Sequence, residues 1–289
     1  MASKRAVQKN SKLLQLMMLV AAAYFLIPLF WLVVASTKSM SSLYNSFGMW
    51  FASPFSLFEN VHKVFTLSDG IFLHWAKNSI VYAVGGALGA AIISTLTGYG
   101  FSKYRFRGSN LLFGLVLVTI MVPTTALALP TYLMFVKFHL VNTTWAVILP
   151  SLVSPIGVYL MRVYCDSAVP QTLLEAGRID GAGEFRIFRD ISVRMLAPGF
   201  VTVLLLSIIG VWNNYLLPLM MVSVAELQPL TVGLSVWNLQ ANAGGGFVDG
   251  SMPVVLITAS LITVIPLMLA FLLLQRFWEN GLSAGAVKE

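Results

Sequence analysis

Six stretches of this chain are apolar for about the length of a bilayer crossing, at 13–35, 78–101, 111–129, 143–161, 198–221 and 252–275. A helix needs about 20 mainly apolar residues to cross the hydrocarbon, because each residue rises only about 1.5 Å. None of the six runs contains Asp, Glu, Lys, Arg or His, as the cost of holding charge at membrane depth requires. A chain that is 58% hydrophobic and 10% charged also lacks the charge to cover a soluble surface. The expected class is an all-α integral membrane protein with six transmembrane helices.

The first run follows a basic tail and contains Val33-Val34-Ala35, the spacing of a signal-peptidase site. Its 23 residues exceed the apolar core of about 7–15 residues found in cleaved signals, so it is expected to be retained as the first span. Cys165 is the single cysteine, which excludes an intramolecular disulfide and a thiolate metal centre.

Charge sets the expected orientation. With six spans both termini lie on one side. That side receives Lys4, Arg5, Lys9, Lys12, Lys103, Arg105, Arg107, Arg162, Arg178, Arg186, Arg189, Arg194, Arg276 and Lys288. The other receives only Lys38, Lys63, Lys77 and Lys137, so the excess of basic residues places both termini in the cytoplasm. The expected layout is a cytoplasmic tail at 1–12, a membrane region at 13–275 and a cytoplasmic tail at 276–289. Within the membrane region the external connections are 36–77, 130–142 and 223–251, and a cytoplasmic loop covers 162–197. The basic residues flank spans and form no soluble patch with interleaved aromatics, so nucleic acid is not an expected partner. Phe47, Trp50, Phe51, Phe55 and Phe58 in the first external segment suit the headgroup level.

Within the spans, Pro28, Pro123, Pro150, Pro155, Pro218 and Pro266 are candidate kinks. Gly85 and Gly89, with Gly86, Ala87 and Ala90, form a small-residue face that permits close helix approach, within the chain or with a partner. The run WNNYLLP at 212–218 sets Asn213 and Asn214 beside Trp212 and Tyr215. Such amides need partners in lipid, and two roles are open: joining helices, or lining a path for a hydroxyl-rich solute.

One segment departs from the rest. Residues 175–198, EAGRIDGAGEFRIFRDISVRMLAP, hold eight charged side chains in 24. Pro170 suits a helix start, and a short helix to about Asp180 followed by a turn at Gly181 and Gly183 is expected. A second helix over 184–195 would carry Phe185, Phe188, Ile191 and Met195 on one stripe. That second helix also fits an amphipathic element lying on the cytoplasmic leaflet. The first has almost no apolar stripe, and its small surface with charges at the rim suits docking to a cytoplasmic protein.

The segment resembles the EAA loop of ABC-importer inner-membrane subunits at Glu175, Ala176, Asp180, Gly181, Ala182, Phe188, Ile191 and Pro198. It departs at Gly177, where the pattern has a second alanine, and at Val193-Arg194, where many members have Leu-Pro. Further along, GYGFSKYRFRG, MVPTTALALPTY, WNNYLLP and the terminal QRFWENGLSAGAVKE resemble the carbohydrate-importer, MalG-like branch.

The resemblance implies a type I ABC importer permease fold and a sugar or oligosaccharide as solute. It also implies a location in a bacterial or archaeal cytoplasmic membrane. The implied partners are a second, similar permease, two copies of an ABC ATPase and an extracytoplasmic solute-binding protein, beside the lipid membrane. It implies that Glu175, Ala176, Gly177, Arg178, Asp180, Gly181 and Ala182 form the ATPase-coupling element. Trp212, Asn213, Asn214 and Tyr215 then belong to the translocation path, and Gly244, Gly245, Gly246 and Phe247 to a loop contacting the binding protein.

The chain contains no G-x-x-x-x-G-K-[ST], so ATP and magnesium are expected on the partner ATPase, with no cofactor on this chain. An ion-coupled carrier is disfavoured by spans without titratable groups. An intramembrane enzyme is disfavoured by the lack of a catalytic constellation. A permease for a non-sugar solute is the main alternative.

Overall fold

The computed structural model describes residues 2–243 and 250–286, with side chains described at 12–243, 250–275 and 277. It is 81% helical, with no strand among the described residues. Fourteen α-helices are described: α1 Ala2–Ser36, α2 Met40–Asn45, α3 Leu57–Thr66, α4 Ile71–Lys103, α5 Ser109–Ile120, α6 Thr124–Lys137, α7 Trp145–Ser151, α8 Pro155–Ala168, α9 Gln171–Ile179, α10 Glu184–Ile187, α11 Val193–Trp212, α12 Leu216–Met221, α13 Leu230–Asn242 and α14 Met252–Ala286. Five helical stretches are long and apolar enough to cross a membrane, and a bent pair raises the number to six.

That pair is where the expected span at 111–129 breaks, at the candidate kink Pro123. Helices α5 and α6 meet at an angle of 104°. Pro123 causes the break: it has no N–H for a helix interior and it disfavours helical geometry at Val122. The chain nevertheless satisfies its amides locally, with Met121 N–H donating to Val118 O at 3.1 Å and Ala126 N–H to Pro123 O at 3.0 Å. The expected span at 198–221 is also interrupted, since α11 ends at Trp212 and α12 begins at Leu216. Stretches expected as external connections contain helix too, including α3 and α13.

The chain divides into two compact units. One holds the residues up to Gly70 together with Leu234–Val264. Here the turn after α1 is pinned by Asn60, whose Nδ2 donates to Ser36 O at 2.8 Å and Lys38 O at 2.9 Å. Lys38, expected in the first external connection, is 1% exposed, and its Nζ donates to Phe47 O at 2.7 Å. Phe47, Trp50, Phe51, Phe55 and Phe58 are all exposed.

The other unit holds Ile71–Gly233 and the residues from Ile265 onward. Its core is α4 packed on α8 and α11. Small residues allow the approach. A Cβ on Gly89 would overlap Leu152 Cδ2, one on Gly98 would stand 2.6 Å from Met161 Cβ, and one on Gly157 would stand 2.9 Å from Val203 Cγ1. The small face of α4 is therefore used inside the chain, which answers the question its sequence left open. Near its start, α4 presents Trp75, Asn78, Ser79 and Tyr82 on one face, the i, i+3, i+4, i+7 pattern. Trp75 Nε1 donates to Ala225 O at 2.9 Å, Asn78 Nδ2 to Glu226 O at 2.7 Å and Tyr82 Oη to Leu227 O at 2.7 Å. Ser79 Oγ accepts from Leu230 N–H at 2.8 Å. These four side chains clamp the main chain of 225–230 against the helix.

Candidate functional site

The polar segment between α8 and α11 forms a compact hairpin of helices. Helix α9 ends in a pair of main-chain bonds: Gly181 N–H donates to Arg178 O at 3.0 Å, and Ala182 N–H to Gly177 O at 2.9 Å. This is the paired closure of a Schellman turn, and Gly181 at φ +78° occupies the left-handed position that favours glycine. The Asp-Gly-Ala run is thus a helix terminator, with Asp180 as the C-cap.

Gly177 faces inward. A Cβ there would meet Ile187 Cγ1 at 3.2 Å and Ile191 Cδ1 at 3.3 Å, so its small surface seats its own chain's second helix. This corrects the expectation that Gly177 offers its surface to a partner. Glu175, Ala176, Arg178 and Asp180 are exposed. Among the described residues the side-chain carboxylates of Glu175 and Asp180 make no hydrogen bond or ion pair. Two apolar side chains of the same segment are exposed as well, Ile179 at 86% and Phe185 at 75%.

Arg178, by contrast, is engaged within the chain. Its Nε donates to Glu184 Oε1 at 2.6 Å and its Nη2 to Glu184 Oε2 at 3.3 Å. Tyr104, from the connection after α4, donates its Oη to Glu184 Oε2 at 2.8 Å. The Arg178 guanidinium, aided by Tyr104, holds the Glu184 carboxyl below the ordinary carboxylate range. Partial burial, and then the bond to Glu184, pushes the Tyr104 phenol upward. Neither Tyr104 nor Glu184 was among the expected site residues; the only signal was the GYGFSKYRFRG run in the resemblance.

The second helix differs from the expected stripe. After α10 the chain makes a π turn over Phe188–Ser192, closed by Val193 N–H donating to Phe188 O. The wider turn shifts the register, so Ile187 and Ser192, five residues apart, are both buried. Phe185 falls off the stripe, while Phe188, Ile191 and Met195 stay packed on the core around Leu174, Leu196 and Met161. Arg186 and Arg189 point away and share Asp190, at 3.6 and 2.7 Å. Val193 and Arg194 simply open α11.

The second set of expected residues lies at the far end of α11. Trp212 is buried there. Asn213 is exposed and its Nδ2 turns back to Ile209 O at 2.9 Å, capping the helix. Asn214 O accepts from Thr231 Oγ1 at 2.8 Å, tying the break to α13. Tyr215 is half-exposed. Both residues therefore stand at the break between α11 and α12. Gly244, Gly245, Gly246 and Phe247 lie outside the described residues.

Residues 87–283 match the family described as "Binding-protein-dependent transport system inner membrane component". The chain is 32% identical over 276 residues to the arabinooligosaccharides transport system permease protein AraQ of Bacillus subtilis, covering 95% of each chain. It is 28% identical to the lactose transport system permease protein LacG of Rhizobium radiobacter, covering 93% of each. It is also 28% identical to the sn-glycerol-3-phosphate transport system permease protein UgpE of Brucella abortus, covering 88% of this chain and 89% of that one. The fold is that of a chain in the crystal structure of a bacterial ABC transporter involved in the import of the acidic polysaccharide alginate, with a TM-score of 0.79 at 20% identity over 95% of this chain and 98% of that chain. The apolar spans, the helical hairpin between them and these matches lead to one conclusion: the chain is a multi-pass membrane transport component, not an enzyme, and belongs to the family of binding-protein-dependent ABC importer permeases.

Proposed function

We propose that this chain is the permease subunit of an ATP-driven importer for a sugar or oligosaccharide, coupled to a cytoplasmic ATPase through the loop at 162–197. The observation that carries this is the outer surface of α9. Among the described residues the Glu175 and Asp180 carboxylates are unpaired, and Ile179 and Phe185 of the same segment are exposed. An apolar knob rimmed by acidic charge fits an apolar cleft lined by cations, and the charge pairing would set its register.

On this reading the loop and both termini are cytoplasmic, and two ABC ATPase copies bind ATP and magnesium while this chain holds no cofactor. A second MalF- or MalG-like permease completes the path, and an extracytoplasmic binding protein delivers solute near the 223–251 segment, including Gly244–Phe247. Trp212, Asn213, Asn214 and Tyr215 contribute to the path at the end of α11. The solute class rests on the relatives named for arabinooligosaccharides and lactose. The sn-glycerol-3-phosphate relatives favour a second reading, a phosphorylated polyol. Stimulation of the purified complex's ATPase by its binding protein, loaded with each class in turn, separates the two.

The coupling role is tested with Glu175→Lys. The variant chain is expected in the membrane at normal level but without co-purifying ATPase, or with hydrolysis that no longer responds to the loaded binding protein. A complex of normal composition and normal stimulation would remove Glu175 from the coupling surface.

A further inference from the structure

The end of α4 packs closely on the main chain at Arg162, where the loop at 162–197 begins, and side chains join it to the rest of that loop. Tyr104 reaches Glu184 at 2.8 Å, and Glu184 in turn holds Arg178 at 2.6 Å. Five residues earlier, Tyr99 lies against both ends of the π turn. Its ring centroid is 4.9 Å from that of Phe188, and its hydroxyl accepts from Ser192 Oγ at 3.3 Å. The rings of Tyr99 and Tyr104 meet edge-on at 5.8 Å.

The covalent route from α9 to α11 passes through the turn at Gly181 and then the π turn. A single π turn inside a helix has poorer hydrogen-bond geometry than the α-helix around it and is a natural place to bend. The other covalent route runs to α8 through Val169 and Pro170, and Leu174 of α9 is buried in the core with Met161 and Leu196. The tyrosines add an attachment to α4, a span to which α9 has no short covalent connection.

We propose that Tyr104 is a positioning residue for the coupling loop: through Glu184 it holds Arg178 and α9 against the end of α4, so that displacement of α9 moves α4 as well as α11. The proposal rests on the coupling role given above to the loop. It assigns opposite duties to neighbouring charges. Arg178 is spent inside the chain, and Glu175 and Asp180 remain for the partner.

Tyr104→Phe tests this, because it keeps the ring beside Tyr99 and removes only the hydroxyl. In the complete transporter, reconstituted in vesicles, the amount of co-purifying ATPase should stay unchanged. Solute moved per ATP hydrolysed should fall about 2- to 5-fold, the size expected for loss of a partly exposed charged contact. Glu184→Gln, which weakens both bonds, should lower the ratio at least as far. A ratio equal to the parent's in both variants overturns the proposal, as does loss of the ATPase from the Tyr104→Phe complex, which would make the hydroxyl an assembly contact.

A second measurement needs no ATPase. With spin labels at Arg107→Cys and Ile179→Cys in the full chain in lipid nanodiscs, adding Tyr104→Phe should broaden the distance distribution, and an unchanged distribution overturns the proposal. The Glu175→Lys experiment reads ATPase docking instead, so failure there and failure here are separate results.

Discussion

Helix α4 holds a different part of the chain at each end, and it does so by different chemistry. At the start, Trp75, Asn78, Ser79 and Tyr82 bind main-chain groups of 225–230. Those partners cannot turn away unless the backbone itself rearranges. At the other end Tyr99 and Tyr104 bind Ser192 and Glu184, side chains on rotatable stems. The first end is a fixed clamp; the second, beyond its close packing at Gly98, adds exchangeable contacts to 184–192. A single rigid helix thus keeps constant geometry where the chain turns back into its own unit, and adjustable geometry where a moving partner is proposed to act.

The comparison breaks most readily at Gly233. A Cβ there would stand 2.2 Å from the Trp75 ring. Gly233→Ala must therefore displace the indole and its bond to Ala225, at a cost of about 1–3 kcal/mol, read as a lower unfolding temperature in detergent. An unchanged midpoint would show that the clamp is loose.

Ser79→Ala should come next. It leaves the Leu230 N–H buried without its acceptor, at a cost of about 1–2 kcal/mol. Hydrogen exchange at 228–232 should quicken; slow exchange in the variant would mean another acceptor takes over.

The smallest effect is expected inside the loop that the adjustable end holds, at Gly177→Ala. The neighbours there are isoleucine branches at 3.2–3.4 Å, which need move only slightly, and alanine is the better helix former, so stability should change by less than about 1 kcal/mol. A loss of several kcal/mol would show the loop packed as tightly as the clamp.

How much of this was legible depended on whether the signal was local. The turn at Asp180-Gly181-Ala182 could be read directly, because a helix followed by a left-handed glycine leaves its mark in adjacent residues. Six apolar runs likewise announced the membrane. The bend at Pro123 was only hinted at, since every residue of 111–129 is suitable for lipid whether the helix is straight or folded. The π turn was invisible to a pattern that assumes 3.6 residues per turn, and Phe185 was misplaced as a result. Tyr104 and Glu184 are 80 positions apart, and no periodicity couples residues at such a distance. Lys38 went against the general rule that lysines stay in water; its burial follows from a turn that wraps around it, and not from its neighbours in sequence.

The fold of α5 against α6 has a consequence for how the bilayer is crossed. The two arms have 12 and 14 residues, about 18 and 21 Å of helix against a hydrocarbon layer of about 30 Å. Neither arm is long enough to cross that layer by itself, so the break at Pro123 leaves two short helices where the composition alone would allow one full crossing. Arg162 stands 3.7 Å from the centre of the Phe113 ring and Tyr159 stacks on the same ring, so α8 holds the first arm, and the second leaves the break at its own angle.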